Sequence, residues 1–275
     1  MSDSLQTIIS SMINDAPPGN GINLINDIKI ILNNENSKRI ISENVKQYHL
    51  NKDFKLVKLS DSSVGLLSKY NQTGLKFYDL SLGLKFDYDF DAFKVIDIEK
   101  IDDNDDDKLP ADDEILKLSN IVEEYASQHF PTFYKSIVVP DSNDSDIIYI
   151  IIVDENLNDA NYYNGKWQSF YKFTKSTGEL TGEIGIKVHY YEEGNFILNT
   201  VKKVNESKIS LSNIVDTIEK IENEFELSVF SKFSNLNEKV FKSLRRQLPI
   251  NRSKVQWGKA IGNYKLGQDA AGGRH

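Results

Sequence analysis

Several kinds of residue and motif are missing from this sequence of 275 residues, and each absence excludes a class of function. There is no cysteine, so disulfides, thiolate metal sites and cysteine nucleophiles are excluded. The sequence has no phosphate-binding loop, dinucleotide fingerprint or G-x-S-x-G motif, and its four histidines lack metal-ligand spacing. We therefore predict that the chain is not an enzyme and that it holds no metal and no cofactor.

Long hydrophobic runs are also missing. No apolar stretch approaches the roughly 20 residues that a membrane-spanning helix needs. The first residues show neither a basic region nor a small-residue cleavage site, so we expect no secretory signal. We expect the protein to be cytosolic.

One histidine is nevertheless a candidate for catalysis. His189 lies near Glu192 and Glu193, an arrangement that a general base could use. A histidine on a sheet face beside a charged hairpin is more often structural, and no nucleophile accompanies this one. We favour a structural role for His189, and likewise for Trp167.

Basic residues are concentrated in one segment near the end of the chain. Residues 239–268 contain eight Lys or Arg and no Asp or Glu. The net charge of the chain is −8, so the residues outside this segment carry −16. Core packing does not require such an asymmetry, which instead predicts a partner with an anionic surface.

This basic tail has internal order. Pro249 divides it, because proline disfavours helix in the residue before it. Beyond the proline, helical spacing places Trp257, Ile261 and Tyr264 on one face and Lys259 opposite them. So short a helix is marginal alone, and we expect it to form when its apolar face is covered.

A second unusual segment is acidic. Residues 97–114 contain ten Asp or Glu. Four of the acidic residues fit positions 1, 3, 5 and 12 of a calcium-binding loop: Asp103, Asp105, Asp107 and Glu114. Lys108 occupies the position where the sharp turn needs glycine, and Pro110 interrupts the loop. We therefore interpret the segment as a solvated linker.

Hydrophobic periodicity divides the chain into five segments. Helical spacing predicts three short helices that form a stalk in residues 1–52, and β-rich composition predicts short strands in 53–96. The acidic linker covers 97–113, and a helix, an antiparallel sheet and a long helix follow in 114–248. The basic amphipathic tail occupies 249–275. The predicted fold class is α+β: an N-terminal helical stalk, a small β region, a five-stranded antiparallel sheet covered by a long helix, and a C-terminal mobile amphipathic tail.

The sheet is predicted in more detail. Its five strands are expected at residues 133–139, 146–154, 166–174, 180–191 and 196–203. After Ser210 a long helix carries an apolar stripe that would cover one sheet face. Its outer side is expected to be acidic, at Asp216, Glu219, Glu222, Glu224 and Glu226. One helix covers five strands only in part, so the remaining face and edge predict a partner subunit.

Two longer segments resemble a known family. VHYYEEGNF (188–196) and FKSLRRQLP (241–249) are similar to the two signature segments of the F-actin capping protein alpha subunit. Further similarities are APPG at 16–19, NGKWQSFYKF at 164–173, and RSKVQWGK followed by YKLG across 252–267. The resemblance covers essentially the whole chain and is weakest in residues 54–112.

This resemblance implies a partner and a function. It implies an obligate heterodimer with an F-actin capping protein beta subunit, with one sheet continuous across both chains. The heterodimer would bind actin filament barbed ends without calcium and block subunit addition and loss, in the cytoplasm at cortical actin structures. The basic patch is also similar to the family's phosphoinositide-binding region, so phosphoinositides are a further candidate partner, whereas nucleic acid is not expected.

The resemblance also implies which residues contact actin. Three basic residues match by motif: Lys242, Arg246 and Arg252. Four more would reinforce them: Arg245, Lys254, Lys259 and Lys265. The apolar face would be inserted by Trp257, Ile261 and Tyr264. Gly258 and Gly262 depart from the family, which has bulkier residues there, and so predict a weaker helix.

Two alternatives stay open. The tail could serve a module that binds an anionic membrane or nucleic acid by charge alone. A subunit of the same family could instead cap the actin-related filament of the dynein-activating complex. In each case the incompletely covered sheet predicts that the isolated chain is unstable.

Overall fold

The computed structural model describes residues 2–101, 112–130, 133–158, 160, 162–192 and 195–235. The chain divides into two compact units, Met1–Asn223 and Glu224–His275. In the second unit, the described residues 224–235 are the C-terminal part of the last helix. No helix in the described ranges is both long and apolar enough to cross a bilayer.

Three helices form the predicted stalk: α1 (Ser2–Asp15), α2 (Gly21–Leu32) and α3 (Glu35–Asn51). Pro17 and Pro18 lie in the connector between α1 and α2, where they disfavour helix. The Asn34 side chain caps α3 by accepting a hydrogen bond from the Ser37 N–H at 2.8 Å. Six apolar side chains form the core between these helices: Ile9, Ile13, Ile25, Ile28, Ile41 and Val45.

Six short strands form the small β region. A two-stranded antiparallel sheet contains β1 (Lys55–Lys58) and β2 (Val64–Leu67). A four-stranded antiparallel sheet contains, in order, β3 (Gln72–Thr73), β4 (Lys76–Asp79), β5 (Leu84–Asp89) and β6 (Lys94–Lys100).

Strand β6 includes residues 97–100, which their acidic composition assigned to the linker. Glu99 on this strand forms ion pairs with Lys76 at 2.7 Å and Lys85 at 3.4 Å. An edge strand tolerates charged side chains because one of its sides faces water. The linker therefore begins later than its composition predicts.

The larger part of the fold is α4 (Asp113–His129) followed by a five-stranded antiparallel sheet. Its strands are β7 (Phe133–Pro140), β8 (Ile147–Asn158), β9 (Tyr163–Thr174), β10 (Glu179–Tyr190) and β11 (Phe196–Glu206), in the spatial order β11-β10-β9-β8-β7. A short 3-10 turn (Leu211–Asn213) then leads into α5 (Ile214–Asn235). The predicted α+β fold class with five antiparallel strands and a long helix is confirmed, and the tail lies outside the described residues.

One face of the sheet, which we call the first face, is covered by the small β region. Side chains of β7 and β8 pack there against side chains of the smaller sheets. The cluster contains Phe54, Leu56, Leu66, Tyr78, Ile137, Val139, Ile151 and Val153. This covering was not expected, because the short strands gave no sign of where they would pack.

Helices cover the opposite, second face. Glu123 of α4 accepts hydrogen bonds from the hydroxyls of Ser136 at 2.5 Å and Tyr134 at 3.1 Å on β7. Lys202 of β11 donates to the Ile221 carbonyl of α5 at 3.2 Å. Both ends of the second face are therefore tied to a helix.

Candidate interaction surface

The residues predicted to contact actin lie outside the part of the chain that the structure describes. They are Lys242, Arg245, Arg246, Arg252, Lys254, Trp257, Lys259, Ile261, Tyr264 and Lys265. The same holds for Asp103, Asp105 and Asp107 of the rejected calcium loop, whereas Glu114 forms an ion pair with Lys175 at 3.2 Å. The described residues contribute a different surface.

Strand β11 has an open edge. Its eleven residues pair with β10 along their full length, from Leu180 opposite Glu206 to Tyr190 opposite Phe196. On its other side, β11 pairs with no strand among the residues that the structure describes. A long unpaired edge is a template for another strand, because its outward N–H and C=O groups have no partner in the sheet.

The first face is also uncovered beside this edge. Val201 and Ile197 project there and are 61% and 43% exposed. Gly185 lies opposite Val201 in the neighbouring strand, so no side chain of β10 shields it. We call Ile197, Val201 and the outer edge of β11 the open end of the sheet. Apolar side chains of this size on an open edge are typical of an interface.

The stalk exposes apolar side chains as well. Ile8 and Met12 lie one turn apart on α1, and Ile30 and Ile31 lie near the end of α2, all of them exposed. Residues four apart share one face of a helix. The stalk helices leave these apolar side chains in contact with water, so the stalk is suited to packing against further apolar surface.

Three of the segments that carry the family resemblance meet at one place. Gly19 in the α1–α2 connector has a φ of +85°, and a Cβ there would overlap the Asn164 side chain of β9. The next residue, Asn20, places its amide 3.5 Å from the Nδ1 of His189. The Nε2 of His189 lies 2.9 Å from the Asn195 side chain. His189 is buried, so these contacts favour the structural role over the catalytic one.

A buried charge cluster joins the same parts of the fold. Asp53, at the end of the stalk, binds Lys166 of β9 at 3.0 Å and Lys187 of β10 at 2.6 Å. Burial alone would raise the pKa of Asp53, but the two ammonium groups hold it well below its usual range. Sequence reasoning missed this cluster, because its members come from distant parts of the chain and β9 contains several other polar residues.

Comparison with known proteins agrees with the geometry. The family model for the F-actin capping protein alpha subunit matches residues 9–269. An F-actin-capping protein subunit alpha from Candida glabrata is 40% identical over the full length of both chains. Proteins of the same name from Yarrowia lipolytica and Saccharomyces cerevisiae are 39% and 37% identical and cover 100% and 99% of this chain. The chain belongs to the F-actin capping protein alpha subunit family.

A solved structure supports the fold of this capping protein alpha chain. It is the homodimeric actin capping protein alpha subunit from Plasmodium berghei, which superposes with a TM-score of 0.72. The similarity covers 92% of this chain and 100% of that one, at 19% sequence identity. At that identity, the likeness establishes the architecture alone.

The second face of the capping protein alpha sheet contains a buried carboxylate. Glu222 of α5 accepts hydrogen bonds from Tyr125 at 2.7 Å, Ser169 at 2.6 Å and Tyr171 at 2.8 Å. Burial raises the pKa of Glu222 above its usual value, although the hydroxyl donors oppose this. Trp167 donates to Ser169 at 2.8 Å and is thereby fixed beside the same site.

The placement of Glu222 corrects the predicted outer side of α5. Sequence reasoning put this residue among the exposed acidic ones, whereas it is 3% exposed. Glu222 follows Ile218 by four residues, so the two lie on the same helix face, toward the sheet. Composition alone suggested exposure because a buried glutamate needs partners, and these come from α4 and β9, which are distant in the sequence.

Proposed function

We propose that this chain is the alpha subunit of a heterodimeric capping protein that binds actin filament barbed ends. With a beta subunit, it would block actin subunit addition and loss there without calcium. It would act as a non-enzymatic binding protein in the cytoplasm, at cortical actin structures. The observation that carries this proposal is the open end of the sheet in a chain that belongs to the capping protein alpha family.

The open end supports a heterodimer. A partner strand beside β11 would satisfy the outward backbone groups and extend the sheet. Its side chains would cover Ile197 and Val201, which water contacts in the single chain. The exposed apolar side chains of α1 and α2 would bury against helices of the same partner. Obligate interfaces are large and apolar, which fits a surface spread over both the stalk and the sheet.

The tail supports the binding of actin. Lys242, Arg246 and Arg252 would steer the protein toward the acidic actin surface and raise the association rate. The apolar face with Trp257 and Ile261 would then slow dissociation, because desolvated contacts must break before the complex separates. Ordering such a tail opposes binding by roughly 2–5 kcal/mol, as for other segments that fold on binding.

A second assembly state is favoured by one comparison. The Plasmodium berghei protein is described as homodimeric, and its fold is that of this chain. Two copies of this chain could therefore pair through the same open end. The two assemblies differ in composition, so light scattering and subunit stoichiometry distinguish them.

The proposal is tested by elongation of actin from seeded barbed ends. The intact chain, co-expressed with a beta subunit, is compared with a version truncated after Asn251. We expect the intact heterodimer to stop growth at substoichiometric amounts and the truncated form to be much weaker. A variant with Trp257, Ile261 and Tyr264 scrambled keeps the charge of the tail and is expected to behave like the truncation.

Other outcomes favour the alternatives. The scrambled variant could bind phosphoinositide vesicles or nucleic acid as tightly as the intact protein and have no effect on elongation. That result would assign the tail to charge-driven binding. Arrest of the actin-related filament but not of actin would favour the role in the dynein-activating complex. Arrest by the chain alone would favour the homodimer.

A further inference from the structure

A cavity of about 120 Å³ lies where the α1–α2 connector and the end of α3 meet the first face of the sheet. The charged side chains that line it are Asp53, Lys55, Glu155, Lys166 and Lys187. Apolar lining comes from Ile13, Pro17, Ile22, Leu24, Ile25 and Leu157. The cavity is separate from the open end of the sheet, and the proposed capping function does not use it.

The two carboxylates in the cavity are already neutralised. The Nζ of Lys166 lies 3.0 Å from both Asp53 Oδ2 and Glu155 Oε1 and donates to the Phe54 carbonyl at 2.6 Å. Its three protons are therefore used. Burial alone would lower the pKa of Lys166, but the two carboxylates raise it. This part of the cluster is complete and has no capacity to bind a further group.

The other two ammonium groups, those of Lys187 and Lys55, are only partly neutralised. Lys187 donates to Asp53 and to the Tyr48 hydroxyl at 3.1 Å, so its third proton has no acceptor among the residues that the structure describes. The side chain of Lys55 forms neither a hydrogen bond nor an ion pair with any residue in the described ranges. Three lysines thus face two carboxylates, which leaves one positive charge in excess. Burial correspondingly lowers the pKa of Lys55.

The neighbouring histidine does not change this balance. The Nδ1 of His49 lies 3.0 Å from the Asp53 carbonyl and so carries the proton. Burial lowers the pKa of His49 to about 4, so its ring is neutral at pH 7. The excess charge in the cavity is therefore one at neutral pH.

The start of α2 adds further positive potential. Gly21 and Ile22 line the cavity, and the side chain of the N-cap residue Asn20 makes no capping hydrogen bond. The first backbone bond of the helix runs from the Leu24 N–H to the Asn20 carbonyl at 3.0 Å. The earlier N–H groups have no acceptor within the helix, and they concentrate partial positive charge at this end.

We propose that this cavity binds a small monocarboxylate, with its carboxylate beside Lys55 and its short hydrocarbon chain against the apolar wall. A single negative charge balances the single excess positive charge. A cavity of about 150 Å³ holds a six-carbon ring, so the volume here suits a ligand of about six heavy atoms. A dianion such as phosphate would leave an unpaired charge against apolar side chains, which is unfavourable.

The test is a titration of the full-length chain with butyrate, with the chain co-expressed with a beta subunit if it is insoluble alone. Isoleucine methyl groups are labelled, and their NMR shifts are followed at constant ionic strength. The methyl groups of Ile13, Ile22 and Ile25 should shift and saturate with a Kd of about 1 mM. Those of Ile8 and Ile30, which lie outside the cavity, should not move.

Two variants and one control assign the site. Lys55→Met keeps an unbranched side chain that is one heavy atom shorter and removes its charge, and should weaken butyrate binding by about tenfold or more. Lys58→Met is the control, because Lys58 is an exposed residue of the same strand and does not line the cavity. Gly21→Leu should weaken binding, since Gly21 lines the cavity and a Cβ there meets nothing within 4 Å, which leaves room for a larger side chain to take up part of the space.

Three results would overturn the proposal. The first is the absence of any saturable shift with butyrate, which would indicate that the cavity holds only water. The second is equal binding of 1-butanol or inorganic phosphate, since the one lacks the charge and the other lacks the hydrocarbon chain. The third is unchanged affinity in both Lys55→Met and Gly21→Leu.

Discussion

The two ends of the five-stranded sheet are built differently. At β7 and β8 the first face is buried under apolar side chains of the small β region, and Ile151 is fully inaccessible. At β10 and β11 the contacts of the same face are polar: Lys187 binds Asp53, and His189 lies next to Asn20. Val201 on this face is exposed. The difference indicates that apolar burial is complete within the chain at one end and is left for a partner at the other.

The largest expected effect is on the free energy of unfolding, when one apolar side chain is shortened at each end of the sheet. Ile151→Ala should lower the free energy of unfolding by about 2–5 kcal/mol, because it leaves a cavity in a packed core. Val201→Ala should change it by no more than about 0.5 kcal/mol in the absence of a partner, because the side chain is exposed. Denaturant unfolding measures both. Equal losses for the two variants would contradict the contrast between the ends.

A smaller effect concerns the pH dependence of stability that is due to His49, which lies beside Asp53. His49 stays neutral in the folded chain down to a pKa of about 4, whereas in the unfolded chain it takes up a proton near pH 6.5. The unfolded state therefore binds more protons in that window, and stability should fall as the pH drops from 6.5 to 4. The loss should reach roughly 3 kcal/mol for complete titration.

The matched variant for this prediction is His49→Asn, whose amide can still donate to the Asp53 carbonyl. Unfolding measured between pH 7 and 4 should show less acid sensitivity in the variant than in the natural sequence. Parallel pH profiles for the two proteins would show that His49 is not the group responsible.

The smallest expected effect is on the pH dependence of stability and is due to Glu222 on the second face, where both ends of the sheet are covered. The pKa of Glu222 is raised, so the folded chain keeps a proton that the unfolded chain has lost. Stability should therefore decrease as the pH rises from the usual glutamate pKa toward the raised one. Glu222→Gln keeps the shape and one acceptor oxygen and cannot titrate, so its unfolding should lack this decrease. A wild-type stability that rises with pH relative to Glu222→Gln would contradict the assignment.

Much of the fold follows from local patterns in the sequence. The nearly continuous apolar run of β8 is typical of a strand that is covered on both faces, and Ile150 and Ile151 are both buried. The three stalk helices follow from helical spacing together with Pro17 and Pro18 between the first two. Such features depend on neighbours in the sequence, so they can be recognised without tertiary structure.

What could not be predicted depends on distant partners. Glu222 is buried because Tyr125, Ser169 and Tyr171 donate to it, and none of these is near it in sequence. The strand β6 forms within an acidic segment because Lys76 and Lys85 lie across the sheet from Glu99. The cavity beside Lys55 likewise requires residues of seven helices and strands to meet.

The central claim is that the open end of the sheet is completed by a beta subunit. The most direct measurement is the amount of beta subunit that co-purifies with the double variant Ile197→Lys, Val201→Lys. It is compared with the amount that co-purifies with the control variant Leu75→Lys. Leu75 is 78% exposed in the turn between β3 and β4, so it matches the substitution but lies away from β11. The account predicts that the double variant loses the beta subunit while Leu75→Lys retains it. Full retention by the double variant would contradict the assignment of the open end as the subunit interface.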